Sequence, residues 1–250
     1  MRFARHCLGT VLICCIAGAA ATVSIADSGL SGLRDELDAA VNRGDETALQ
    51  NLATRLESQD GSLADYYRAY AHYRLGELTA DREKLAKGHL NDCIDILKDV
   101  VSADPGFAEA QALQATCYGV SAPFYMLRAA TRGIAANNAL ARALEADAGN
   151  PRVILADGIS LYFRPSAFGG DKARAQTRLQ EAIGRYAEFR PATADSPVWG
   201  EAEAWLYLAR IQRDAGETSQ ARDSLDRALK LAPGYAEALK ESASLAPPSG

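Results

Sequence analysis

The chain has 250 residues, 48 % of them hydrophobic, with 27 Lys and Arg against 32 Asp and Glu. A net charge of −5, with no block of Lys or Arg in the body of the chain, repels phosphate backbones and disfavours nucleic-acid binding. The apolar content is that of an ordinary folded chain and is enough to bury a core.

The first element in chain order is a leader. Arg2, Arg5 and His6 form a short basic start, and no charge interrupts the run from Cys7 to Ala26. Ser24 and Ala26 place small residues three and one before a cut after Ala26, so residues 1–26 read as a signal peptide that is removed. An uncleaved anchor is the alternative, since 20 uncharged residues can span a bilayer. A lipid anchor is disfavoured because bulky Ile13 precedes Cys14 and Cys15 follows it. Removal would leave 25 Lys and Arg against 32 Asp and Glu, a net −7, in a periplasmic or secreted protein.

Beyond the leader one motif recurs: a small or apolar residue, another four positions on, and a third three later. It reads Leu49, Ala53, Leu56; Cys93, Leu97, Val100; Ala139, Ala143, Ala146; Ala175, Leu179, Ala182; and Ala221, Leu225, Ala228. Helical spacing puts each triplet on one helix face. Proline stands twelve positions after the first member in three cases, at Pro105, Pro151 and Pro233, where it stops one helix before the next begins. The pattern predicts five helical hairpins, over about 29–59, 62–104, 106–148, 151–189 and 199–232, with a closing helix at 235–244. No segment alternates with period 2, so no sheet is expected. Gln212 to Ala221 spans 9 positions, whereas His72 to Cys93 and Tyr118 to Ala139 each span 21. Helix formers such as Ala80 to Lys87 assign most of that extra length to longer second helices in two hairpins. Arg190 to Val198, with Pro191 and Pro197, reads as an uncoiled link inside a single domain over 27–250.

The last unit carries the clearest resemblance. Across the 34 residues Ala202–Tyr235, Trp205, Leu208, Ala209, Gly216, Ala221, Leu225, Ala228 and Pro233 fall at positions 4, 7, 8, 15, 20, 24, 27 and 32. This resembles the tetratricopeptide repeat; Gln212, where that family prefers Tyr, departs from it. The resemblance implies an all-α solenoid of stacked hairpins, each unable to bury its apolar face alone. It also implies a concave groove lined by first-helix positions: Arg152, Leu155, Ile159, Tyr162 and Phe163 in the fourth hairpin, and Glu203, Leu206, Arg210, Arg213 and Asp214 in the fifth. Tyr66, Tyr67, Tyr70 and Tyr73 cannot all face one stripe of a helix, so one or two of them are expected at the surface or in the groove.

Chemical signatures are missing. There is no metalloprotease His-Glu-x-x-His, no Cys-x-x-Cys, no phosphate-binding glycine loop and no nucleophile elbow, so neither catalysis nor a cofactor is expected. Outside the leader only His72 and His89 are histidines, and nothing in the linear sequence groups carboxylates around them, so no metal is expected. Cys93 and Cys117 are either a disulfide of an oxidising compartment or two small buried hydrophobes. Phe168-Gly169-Gly170-Asp171 reads as a wide turn in which Asp171 caps the next helix and Phe168 packs onto a neighbour; an anion site at that helix start is the alternative. The expected function is a protein-interaction or scaffolding module of the bacterial cell envelope, holding a peptide segment or partner protein in its groove. The alternative is a small-molecule-binding accessory subunit of a periplasmic solute transporter.

Overall fold

The computed structural model describes residues 29–245; the expected leader lies outside the described residues. Within them the chain is eleven α-helices with no strand. Helices α1 (Leu30–Arg43) and α2 (Glu46–Glu57) form the first hairpin, and α3 (Ser62–Leu78) and α4 (Glu83–Ala103) the second. They are followed by α5 (Ala108–Ser121) with α6 (Ala129–Asp147), α7 (Pro151–Phe163) with α8 (Lys172–Glu188), and α9 (Glu201–Asp214) with α10 (Thr218–Leu231). Helix α11 (Ala236–Ser244) closes the stack. The lengthened second helices are α4, with 21 residues, and α6, with 19, against 12 in α2. Part of the extra length in the third hairpin is not α-helix: two 3-10 turns, Ala122–Phe124 and Met126–Arg128, bridge α5 and α6. Pro123 lacks a donor N–H and cannot extend the α5 ladder.

Local signals start the helices. Asp45, Asn150 and Asp171 each accept a backbone N–H from the first turn of α2, α7 and α8, satisfying donors that have no partner inside the helix. Small residues then set the contact distance within each pair. Ala221 and Ala228 are fully buried against α9, and Ala175 and Ala182 against α7. At Gly76 a methyl group would lie 2.6 Å from the Leu90 side chain, so the α3–α4 contact requires glycine.

The core shows why the hairpins stack. Each hydrophobic cluster borrows the first helix of the following unit: Leu113 and Cys117 of α5 pack with the first two hairpins, and Val153 and Ala156 of α7 with the third. Tyr207 and Ile211 of α9 pack with the fourth, and Ala238 of α11 with the fifth. Such nearest-neighbour burial is the mark of a solenoid. The row also turns back on itself, for α11 touches α1, with Ala236 against Gly44. Cys93 and Cys117 are joined in a disulfide that ties α4 to α5, their Cα atoms 6.4 Å apart. Among the described residues no helix is long and apolar enough to cross a membrane.

The disulfide closes a loop with a sequence separation of 24. Loop-closure entropy for about 25 residues is worth about 3.5 kcal/mol. Replacing both cysteines by alanine is expected to lower the melting temperature by roughly 10 °C. Calorimetry with and without reductant checks this: reductant should lower the parent to the level of the variant and leave the variant unchanged.

Candidate docking surface

The first helices of the hairpins line the inner side of the superhelix, where the groove was expected. That side is filled by the chain itself. The segment between α8 and α9 runs across it and is fastened at several points. The Trp199 ring stacks on Tyr70 at 4.5 Å, and its Nε1–H donates to the Tyr66 hydroxyl at 3.1 Å. Arg152 donates to the Trp199 carbonyl at 3.2 Å, Tyr67 to the Asp195 carbonyl at 2.5 Å, and Arg34 to the Ala194 carbonyl and, at 3.0 Å, to that of Ser196. Two buried ion pairs lie beneath. Arg74 of α3 meets Glu203 of α9, and Arg152 of α7 meets Glu109 of α5 at 2.9 Å.

Arg152, Leu155, Ile159, Glu203 and Leu206 are therefore buried and line no open groove. The space left among Glu109, Arg152, Trp199 and Glu203 is about 10 Å³, the room of about one water molecule. All four tyrosines of α3 are buried as well; one or two were expected at the surface or in the groove, and Tyr66, Tyr67 and Tyr70 do face the inner side, but beneath the link that covers it. A single helix stripe packs one face, whereas α3 is packed by α2 and α4 on one side and by Trp199 and the link on the other.

The remaining groove candidates sit at the rim. Phe163 is 60 % exposed, with its ring edge-on to Tyr162 at 4.9 Å and to Tyr207 at 5.8 Å. Asp214 accepts hydrogen bonds from Tyr162 at 3.0 Å, Lys172 at 2.7 Å and Arg213 at 2.9 Å. Burial acts to raise its pKa, but those donors prevail and hold it at about 2. Arg210 and Arg213 are engaged by Glu237 and Glu241, fastening the closing helix.

The exposed apolar surface collects elsewhere. Of nine large hydrophobic side chains exposed among the described residues, six (Leu85, Met126, Leu127, Ile134, Phe163 and Phe168) lie at or beside the turns that join the two helices of hairpins two, three and four. Stacking puts these turns on one edge of the solenoid. Met126 is 90 % and Leu127 100 % exposed. They border an open cleft of about 590 Å³ with Lys87, Phe124, Tyr125 and Arg128. Tyr125 is held between cations, Arg132 at 3.8 Å and Lys87 at 5.1 Å from its ring, and its hydroxyl accepts from Asn91 at 2.8 Å. Phe168 is exposed rather than packed on a neighbour, while Asp171 caps α8 through Ala173 and Arg174 and so fills the helix start with its own carboxylate. The Pro-Phe-Tyr-Met-Leu run at 123–127 was the available sequence signal for this edge; reading the segment as added helix hid it.

The structure also overturns the expectation that no carboxylate accompanies the histidines. His72 and His89 face each other with Asp92 beside them.

Residues 202–245 match the tetratricopeptide repeat family. No curated protein matches the chain in sequence. Among solved structures, the HusA haemophore from Porphyromonas gingivalis superposes with a TM-score of 0.61 at 23 % identity, covering 74 % of this chain and 92 % of that one. A thermophilic TPR protein of Thermus thermophilus superposes at 0.54 and 17 % identity, covering 86 % of this chain and 96 % of that one. Both likenesses concern the fold.

The filled inner side carries a pH signature. Asp38 of α1 buries an Oδ1 with no hydrogen-bond partner. Burial, with a small addition from Asp35, raises its pKa from 3.8 to about 7 against the pull of Arg34, Arg74 and Arg152. A carboxyl that binds its proton more tightly when folded gives stability that is full at low pH and is lost as pH rises from about 4 to about 7. Asp38→Asn is expected to be more stable than the parent by about 2 kcal/mol above pH 7, allowing for screening of a partly exposed group. Urea titrations across pH check this, since the difference should shrink towards zero near pH 4.

Proposed function

We propose that this tetratricopeptide-repeat chain is a protein-interaction module of the bacterial cell envelope, exported by its N-terminal leader, that docks its partner along the turn edge rather than in the concave groove. The repeat at 202–245 and the solenoid likenesses support an interaction module. The observation that carries the choice of surface is the gathering of exposed apolar side chains on the turns of hairpins two to four while the inner side is occupied. Large apolar side chains left exposed together on a folded chain mark an interaction site. The Cys93–Cys117 bond supports an oxidising compartment.

Charge narrows the partner. Lys87 and Arg128 line the cleft beside Met126 and Leu127 against Glu83, although the whole chain is acidic. The rim therefore suits an acidic amphipathic segment of a partner, its apolar residues meeting Met126, Leu127 and Phe163 and its carboxylates meeting the cations. Photo-crosslinking residues placed at 127 and 163, in the envelope of the producing cell, should yield the same adduct, and one placed at Leu239 on α11 should not. Leu127→Glu is expected to weaken capture of that partner by roughly tenfold without lowering the melting temperature. Adducts formed equally from position 239, or capture indifferent to Leu127→Glu, would rule the rim out.

A second reading rests on the cleft itself. Its volume of about 590 Å³ lies within the range of about 300–1,000 Å³ usual for small-ligand sites. One structural relative is a haemophore. A small anionic amphiphile, tetrapyrrole or organic acid would then bind among Lys87, Tyr125 and Arg128. At about 100 times its dissociation constant such a ligand adds about 2.7 kcal/mol of stability. A thermal-shift series with haem and organic acids is expected to show this gain in the parent and not in Arg128→Glu; no shift with any of them removes this reading.

A further inference from the structure

We propose that His72, His89 and Asp92 form a binding site for one divalent transition-metal ion of the zinc type on the second hairpin. His72 lies in α3, while His89 and Asp92 stand one helical turn apart in α4, a spacing that puts both on one helix face. Packing of α4 on α3 then brings this pair to His72. The two Nδ1 atoms are 3.3 Å apart, and the Asp92 Oδ2 is 3.5 Å from the His72 Nδ1. One ligand atom from each of the three residues falls within 4.8 Å of the others. Two donors that each lie about 2.05 Å from a tetrahedral zinc are about 3.3 Å from one another. The two separations from His72 are close to an edge of that tetrahedron, and side-chain rotation of His89 and Asp92 would bring the third donor pair to it.

The surroundings favour the ligating form of each side chain. Burial acts on both imidazoles to push their pKa below the ordinary value, with Asp92 opposing it. Glu57 and Arg68 also face His72, and Glu46 and Arg82 face His89. Both arginines are engaged, Arg68 by Asp65 and Arg82 by Glu46. Asp92 is exposed, so the fourth position of the ion opens to solvent and a water molecule fills it. Two imidazoles and one carboxylate suit zinc, cobalt or nickel; calcium and magnesium require more oxygen ligands than these three residues offer. The ion would join α3 to α4 one residue away from Cys93, which joins α4 to α5.

The test is calorimetric titration of the metal-stripped full chain with zinc sulfate, alongside cobalt(II) titration followed by visible absorption. The expected result is one equivalent of zinc bound with a dissociation constant in the micromolar range, cobalt bands of a low-coordinate site, and a higher melting temperature with zinc than without. His89→Gln and Asp92→Asn should each weaken zinc binding by more than the roughly tenfold cost of losing an outer-shell partner. Their melting temperatures without metal should stay close to that of the parent, and exposed Asp92 keeps the test sound if a histidine variant folds poorly. Binding weaker than millimolar, or zinc affinity equal in the parent, His89→Gln and Asp92→Asn, overturns the site.

Discussion

A pair of helices is too thin to bury its own apolar face, and this constraint organises the whole molecule. Alanines and glycines at a fixed spacing let the two helices of each hairpin approach closely, as at Gly76 against Leu90. The larger residues left over need a third helix, and the next hairpin supplies it. Leu113 and Cys117, Val153 and Ala156, Tyr207 and Ile211, and finally Ala238 serve their preceding units in turn. Stability spreads along the row by nearest-neighbour contacts, and the disulfide reinforces one of those junctions.

The superhelix adds a second layer of contact that the repeat by itself does not require. Its inner side draws together residues far apart in the chain, such as Arg74 with Glu203, and Arg34 with the carbonyls of the link before α9. Buried ion pairs hold a geometry more than they add stability, because charges lose hydration when they are enclosed. Here they fix how α3, α5, α7 and α9 converge around Trp199. A tetratricopeptide-like groove is normally an open concave surface for a partner; in this chain the partner's place is taken by the link at 190–200. The large apolar side chains left exposed lie at the turn edge instead, where Met126, Leu127, Phe163 and Phe168 remain uncovered.

The long second hairpin has consequences of its own. Its extra turns extend α3 and α4 beyond the length of the first pair, and in doing so bring His72 opposite His89 and Asp92. The third hairpin uses part of its added length for 3-10 turns, which present the 123–128 segment outward. Insertions into a regular array thus create both features that distinguish this chain from a plain stack.

What the sequence determined by itself was the repeat: the triplet spacing of small residues, the prolines at 105, 151 and 233, and the fit of residues 202–235 to the tetratricopeptide pattern fix helices and stacking because those contacts are local. Local spacing also placed Asp171 at a cap. The tertiary structure alone decided which first-helix faces stay open, because the curvature of five stacked hairpins governs whether Trp199 can reach Tyr70 across more than a hundred residues. It decided the burial of four tyrosines, the closing of Arg152 and Glu203, and the meeting of two histidines with an aspartate for the same reason. Each depends on how far one helix pair is rotated against the next, a quantity that accumulates along the stack and that no single repeat encodes.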